Sequence, residues 1–137
     1  MIPRARQALA DLAGRLGGRI APTVSDPYAA VDSGLVSMLM TMLAEELEAG
    51  VAKRLTDGEA LKALFQSAAA APDAAARSAF TASVPSSLTL TEVSAWLDGG
   101  MTLLIDLHEW AEANDAAMNR EIWAFLAEHT TRHAFPL

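Results

Sequence analysis

The chain contains no cysteine. A disulfide framework, a thiolate metal site and a thiol nucleophile are therefore excluded, and the redox compartment stays open. It also lacks a long hydrophobic run. LVSMLMTMLA (35–44) is the longest apolar stretch that matters, and a membrane span needs about 20 such residues. The N-terminus MIPRARQALADLAGRLGGRIAP carries arginines without the apolar run of about 7–15 residues that a secretory signal requires. These absences give the expectation of a cytoplasmic protein with no membrane association. Positive charge is in the minority as well. Ten Lys and Arg face 17 Asp and Glu, for a net charge of −7, which argues against a nucleic-acid partner, because phosphate binding needs a basic face. Catalytic signatures are missing too. There is no Gly-x-Ser-x-Gly elbow, no Gly-x-Gly-x-x-Gly, no His-Glu-x-x-His and no repeated Glu-x-x-His. GRLGGR (14–19) is Gly-rich but follows a helical pattern, not a strand, so it is no phosphate loop of the familiar kinds. No alternating β-branched pattern appears, so no sheet is expected.

What is present is helical. A length of 137 residues suits one domain, and such a chain buries roughly two-thirds of its unfolded surface. Ala5, Leu9, Leu12, Leu16 and Ile20 keep a helical period, which predicts a first helix over 4–16 that Gly14, Gly17 and Gly18 end. Asp26 before Pro27 reads as an N-cap followed by a first-turn proline. The second helix runs from there to about 54. It is apolar round most of its circumference between Leu35 and Leu47, which predicts the central, buried helix. Thr56-Asp57-Gly58-Glu59 resembles a capping box that opens a third helix bearing Leu61, Leu64, Phe65 and Ala68. The Ala-rich stretch 68–82 is broken at Pro72 and predicts a short, weakly packed fourth helix. SVPSSLTLT (83–91) is a loop, and Thr89 with Glu92 caps a fifth helix to about 113. Asn114-Asp115 breaks the chain before a sixth helix that ends near 133. The expected fold is all-α: a single-domain antiparallel bundle of about five to six helices over 1–137.

Several polar residues fall on apolar faces. In the last helix Met118, Ile122, Phe125 and Leu126 define a stripe that His129 and His133 continue. His108 lies at the edge of the fifth-helix stripe, and Asp32 and Glu46 fall inside the apolar arc of the second helix. Asp32 and Glu46 are thus candidate buried polar residues. His129, His133, His108 and Glu46 are candidate ligands for a divalent metal, since two histidines at i and i+4 can share an ion with a carboxylate from another helix. The alternative reading is structural. Histidines near a helix C-terminus favour the dipole, and an inward glutamate would pair with an arginine such as Arg4, Arg15 or Arg54. A proton or pH role for the histidine pair is the third reading. Met38, Met40 and Met42 suit core packing or an apolar ligand. Trp96, Leu103 and Trp110 recur every seven residues beside the fifth-helix stripe, and Trp123 lies off the sixth. They are candidate interface residues for a homodimer. Gly99-Gly100 suits a kink or a close helix approach. The charges are uneven as well: arginines dominate 1–20 and carboxylates 92–128, which suggests that the first helix lies over an acidic neighbour in the same chain or a partner.

RIAPTVSDPYAAVDSGLVSMLMTMLAEELEAG resembles part of a group of small bacterial helical proteins of unassigned function. The likeness is carried by the Ile20-Ala21-Pro22 connector and by a long Ala/Leu-rich helix closing on Glu46-Leu47-Glu48. It covers the first half of the chain; the second half, with all three histidines, departs from it. The resemblance implies an accessory role beside acyl-CoA dehydrogenase-like or small-molecule phosphotransferase-like enzymes and assigns no functional residue. Two functional expectations result. The first is a non-catalytic interaction or accessory module that binds a protein partner or a second copy as a homodimer, with no cofactor. The second is a metal- or small-molecule-binding bundle using the inward His and Glu residues.

Overall fold

The structure, a computed structural model, describes residues 4–135. It is all-α, with five α-helices and no strand among the described residues. They are α1 (Ala5–Arg15), α2 (Pro27–Ser67), α3 (Ala74–Ala82), α4 (Leu90–Asn114) and α5 (Ala116–His133). No helix among the described residues is long and apolar enough to cross a membrane. Contacts divide the chain into two compact units, one reaching Gly50 and one starting at Val51.

In the first unit α1 ends at Arg15, beside the expected end at 16. The chain winds on from α1 through a π-helical turn, Leu16–Ile20, and a 3-10 turn, Ala21–Thr23. Asp26 then caps α2 as expected, its Oδ1 accepting from the Tyr28 amide at 3.0 Å. Ser37 Oγ donates to the Ala13 carbonyl at 2.8 Å, and Ala13 and Ala44 are buried. A methyl group on Gly17 would lie 2.6 Å from Ser37 Oγ, so this helix approach depends on the missing side chain. Arg6 and Glu48 form an ion pair at 4.0 Å.

The expected burial of α2 between Leu35 and Leu47 does not occur. Leu39 is 53% exposed and Leu47 56%, and Leu35, Met38 and Leu43 are exposed with them. Leu12 and Ile20 of the preceding segment are exposed too. Asp32, read as a buried polar residue, is exposed, and Glu46 is half-buried with its carboxyl lying against Gly50. The period identified a real apolar arc, but no described side chain covers it.

The second unit holds the core. Leu61, Leu64 and Phe65 of α2 meet Phe80 of α3, Leu97, Leu104, Leu107 and Ala111 of α4, and Met118, Ile122 and Phe125 of α5. Each large apolar side chain buried there contributes about 1.5–3 kcal/mol. The ring of Phe80 meets Phe65 edge-on at 5.7 Å and stacks on Trp96 at 5.1 Å. α3 is therefore better packed than its alanine content suggests. Its Arg77 is buried, donating to the carbonyls of Ala68 (3.1 Å), Ala71 (2.9 Å) and Pro72. These carbonyls belong to the connecting segment after Ser67, so the guanidinium ties that segment to α3.

The expected helix start at Thr56 is wrong. α2 runs unbroken through Thr56-Asp57-Gly58-Glu59, and Thr56 Oγ1 donates back to the Ala52 carbonyl at 3.0 Å. Five helices rather than six follow from this merger. The later boundaries agree with the sequence. Thr89 Oγ1 accepts from the Glu92 amide at 3.4 Å. Asp115 Oδ1 accepts from the amides of Ala117 and Met118, both at 3.0 Å, so Asp115 separates α4 from α5 as their shared cap.

Candidate functional site

Asp57 occupies the core stripe of α2, one turn before Leu61. Its side chain is 0% exposed. A carboxylate so placed must be matched by donors, and all of them come from the last turn of α5. His129 and His133 are one turn apart and share the face that Met118, Ile122 and Phe125 bury. His129 Nδ1 lies 2.9 Å and His133 Nε2 2.6 Å from Asp57 Oδ2. Arg132 Nε donates to Oδ1 at 2.6 Å. A carboxylate can only accept, so both contacting ring nitrogens carry protons in this arrangement.

The surroundings hold these groups in place. His129 stacks on Phe125 at 6.1 Å, and the two imidazole centroids are 4.6 Å apart. Arg132 Nη1 reaches Glu128 Oε2 at 3.5 Å, while its Nη2 is buried without a partner. Lys53, one turn before Asp57, sets its ammonium 5.9 Å from the Phe135 ring centroid. Burial alone would raise the Asp57 carboxyl. The hydrogen bonds from His133, Arg132 and His129, with the His129 charge, outweigh it and hold the carboxyl below the usual aspartate value.

Of the residues singled out in the sequence, His129 and His133 come together, and the carboxylate they meet is Asp57. Oδ2 and the two contacting ring nitrogens form a set of potential ligand atoms within 4.8 Å of one another. His108 stands outside that set: its Nε2 lies 3.0 Å from Asn119 Oδ1 and 3.8 Å from Glu112 Oε1, and its ring meets Trp123 edge-on at 5.2 Å. Glu46 belongs to the first unit. Among the candidate interface residues, Trp96 stacks on Phe80 and donates to Ser83 Oγ at 2.8 Å. Leu103 and Trp110 are partly buried against the core, and Trp123 is 57% exposed.

No protein-family model, curated protein or solved structure matches the chain. The geometry therefore stands by itself.

Sequence reasoning missed Asp57, Arg132 and Arg77. For Asp57 a signal existed: positions 57, 61, 64, 65 and 68 share one helical face. The capping-box reading of Thr56 to Glu59 obscured it. Arg132 is three residues after His129 and so belongs to the same cluster. Arg77 carried no comparable signal, because its carbonyl partners depend on how the chain turns at Pro72.

Proposed function

We propose that this chain is a non-catalytic interaction module that works as a homodimer in the cytoplasm, joined through the first half of α2. The observation that carries the reading is the exposed apolar arc of that segment. At about 3.6 residues per turn, Val31, Leu35, Leu39, Leu43 and Leu47 advance slowly round the helix. With Tyr28, Val36 and Met38 they cover about half its circumference, all of them exposed. Single exposed apolar residues are ordinary, but a contiguous patch marks an interaction site.

Charge favours a second copy as the occupant. Asp32 lies exposed within the arc, while Arg4, Arg15 and Arg19 lie exposed on the segment that leads to α2. Two copies can set the arginines of one against the acid of the other in an isologous contact. The same contact would remove both apolar arcs from water. No nucleic acid or membrane partner is part of the proposal.

Native mass spectrometry of untagged protein tests it. The wild type should appear as a dimer, and the double variant Leu35→Lys/Leu39→Lys as a monomer with unchanged helix content. Both positions are exposed in the single chain, so the lysines cost the fold little. A wild type that stays monomeric at high protein concentration, or a double variant that still dimerises, would overturn the reading.

A further inference from the structure

We propose that Asp57, His129 and His133 form a binding site for one divalent transition-metal ion of the zinc class. The dimer does not require this site, and the site does not require the dimer. Its basis is convergence: two imidazole nitrogens from one turn of α5 aim at the same carboxylate oxygen on α2, at 2.9 and 2.6 Å. Two nitrogens and one oxygen suit zinc and its neighbours rather than magnesium or calcium, which prefer all-oxygen sets. Three protein ligands with water in a fourth position is a recurring zinc arrangement. Zinc accepts either imidazole nitrogen, so the use of Nδ1 by His129 and Nε2 by His133 is no obstacle.

The supporting groups are also present. Asp57 Oδ1 is held by Arg132 Nε at 2.6 Å, which leaves Oδ2 to face the two histidines, and Arg132 Nη1 in turn meets Glu128 at 3.5 Å. Such outer partners orient a metal-binding carboxylate. Access is provided by the histidines, whose side chains are about a quarter exposed while Asp57 is enclosed. The ion would take the place of the two protons now shared with Oδ2. Each imidazole must present its contacting nitrogen bare: a doubly protonated ring loses that proton to solvent and keeps the one on its other nitrogen, and a neutral ring takes the tautomer protonated at that other nitrogen, with no net release. The nitrogens also draw back slightly from Oδ2 to admit the ion. Arg132 opposes a dication nearby, so the affinity should be moderate.

The test uses the full untagged chain, stripped with a chelator and titrated with Co²⁺ by absorption and with Zn²⁺ by calorimetry. One ion per chain is expected. Loss of a direct ligand in His129→Gln or His133→Gln should weaken binding by at least the about 10–100-fold that outer-shell partners are worth. Zn²⁺ should raise the melting temperature of the wild type and leave that of either variant unchanged. If the variants fail to fold, imidazole NMR of the wild type decides: Zn²⁺ should shift the ring signals of His129 and His133 and leave His108 in place. Absence of saturable uptake, uptake undiminished in a folded His129→Gln/His133→Gln double variant, or equal shifts at all three histidines would overturn the proposal. The cluster would then be a polar clamp between α5 and α2.

Discussion

The two units of the chain use apolar residues in opposite ways. From Val51 onward, Leu61, Leu107, Ile122 and Val93 are sealed from water. Up to Gly50 the buried positions among the described residues are Ala13, Ala44 and Gly50, while valines and leucines of the same chemistry lie open. Ordering a residue costs about 1–2 kcal/mol of backbone entropy, and burying a large apolar side chain returns about 1.5–3 kcal/mol. The second unit offsets part of that cost through its own core. The first unit has little burial of its own to offset it, and burial of its arc is what the proposed dimer would add. Hydrophobicity sets which faces can be buried. Whether they are buried depends on what lies opposite.

The sharpest way to test this contrast is to remove one aspartate from each unit. Asp57→Ala strands Arg132, His129 and His133 against a vacated pocket. We expect a loss of about 3 kcal/mol in urea unfolding, at the lower end for breaking a buried ion pair, because the three donors remain about a quarter exposed. Asp32→Ala, exposed in the single chain, should change the stability of the monomer by no more than about 0.5 kcal/mol. Acid should reproduce the larger effect. The folded carboxyl of Asp57 titrates below the ordinary value of 3.8, so the unfolded chain takes up its proton first. The stabilisation is complete above that value and is lost as the pH falls through the lower folded one. Asp57→Asn should remove this part of the acid dependence. An Asp57→Ala protein as stable as wild type would dissolve the contrast.

A smaller effect separates the glycines. A methyl group on Gly100 would meet the Phe80 ring and lie 2.7 Å from Leu61 Cδ2. Gly100→Ala should therefore cost about 1–3 kcal/mol through overpacking, read as a lower urea midpoint. A methyl group on Gly14 of α1 meets nothing within 4 Å, and Gly14→Ala should gain about 0.5–1 kcal/mol from helix propensity. Equal responses would mean that the two units are packed alike.

Much of this was legible in the sequence. The all-α class, the caps at Asp26 and Thr89, the break at Asn114-Asp115, and the inward direction of His129 and His133 rest on local chemistry or on helical period, and both survive folding. The misreadings also have local causes. A threonine hydroxyl can cap a helix or bond back within one, and Thr56 does the second. Gly58 could not mark a break, because the Trp96 ring lies where its side chain would be. Period also identifies a face without identifying what covers it, so the arc of α2 looked like a core. The partner of the histidines was hidden by distance. Asp57 is 72 residues from His129 and 76 from His133, and nothing in either local stretch specifies that pairing.

The smallest effect concerns the tie between α1 and α2. Ser37 Oγ donates to the Ala13 carbonyl at 2.8 Å. That carbonyl also accepts from the Leu16 amide, so it is not orphaned when the hydroxyl is removed. Ser37→Ala should then cost about 0.5–1.5 kcal/mol, the net worth of one hydrogen bond. Where the loss appears matters more than its size. If the first unit is held by few contacts, amide exchange should quicken in α1 while α4 and α5 keep their protection, because regions with little buried surface open by themselves. Exchange that quickens equally in α1 and α5 would mean that the chain opens as one cooperative body, and the division at Gly50 would then have no thermodynamic meaning.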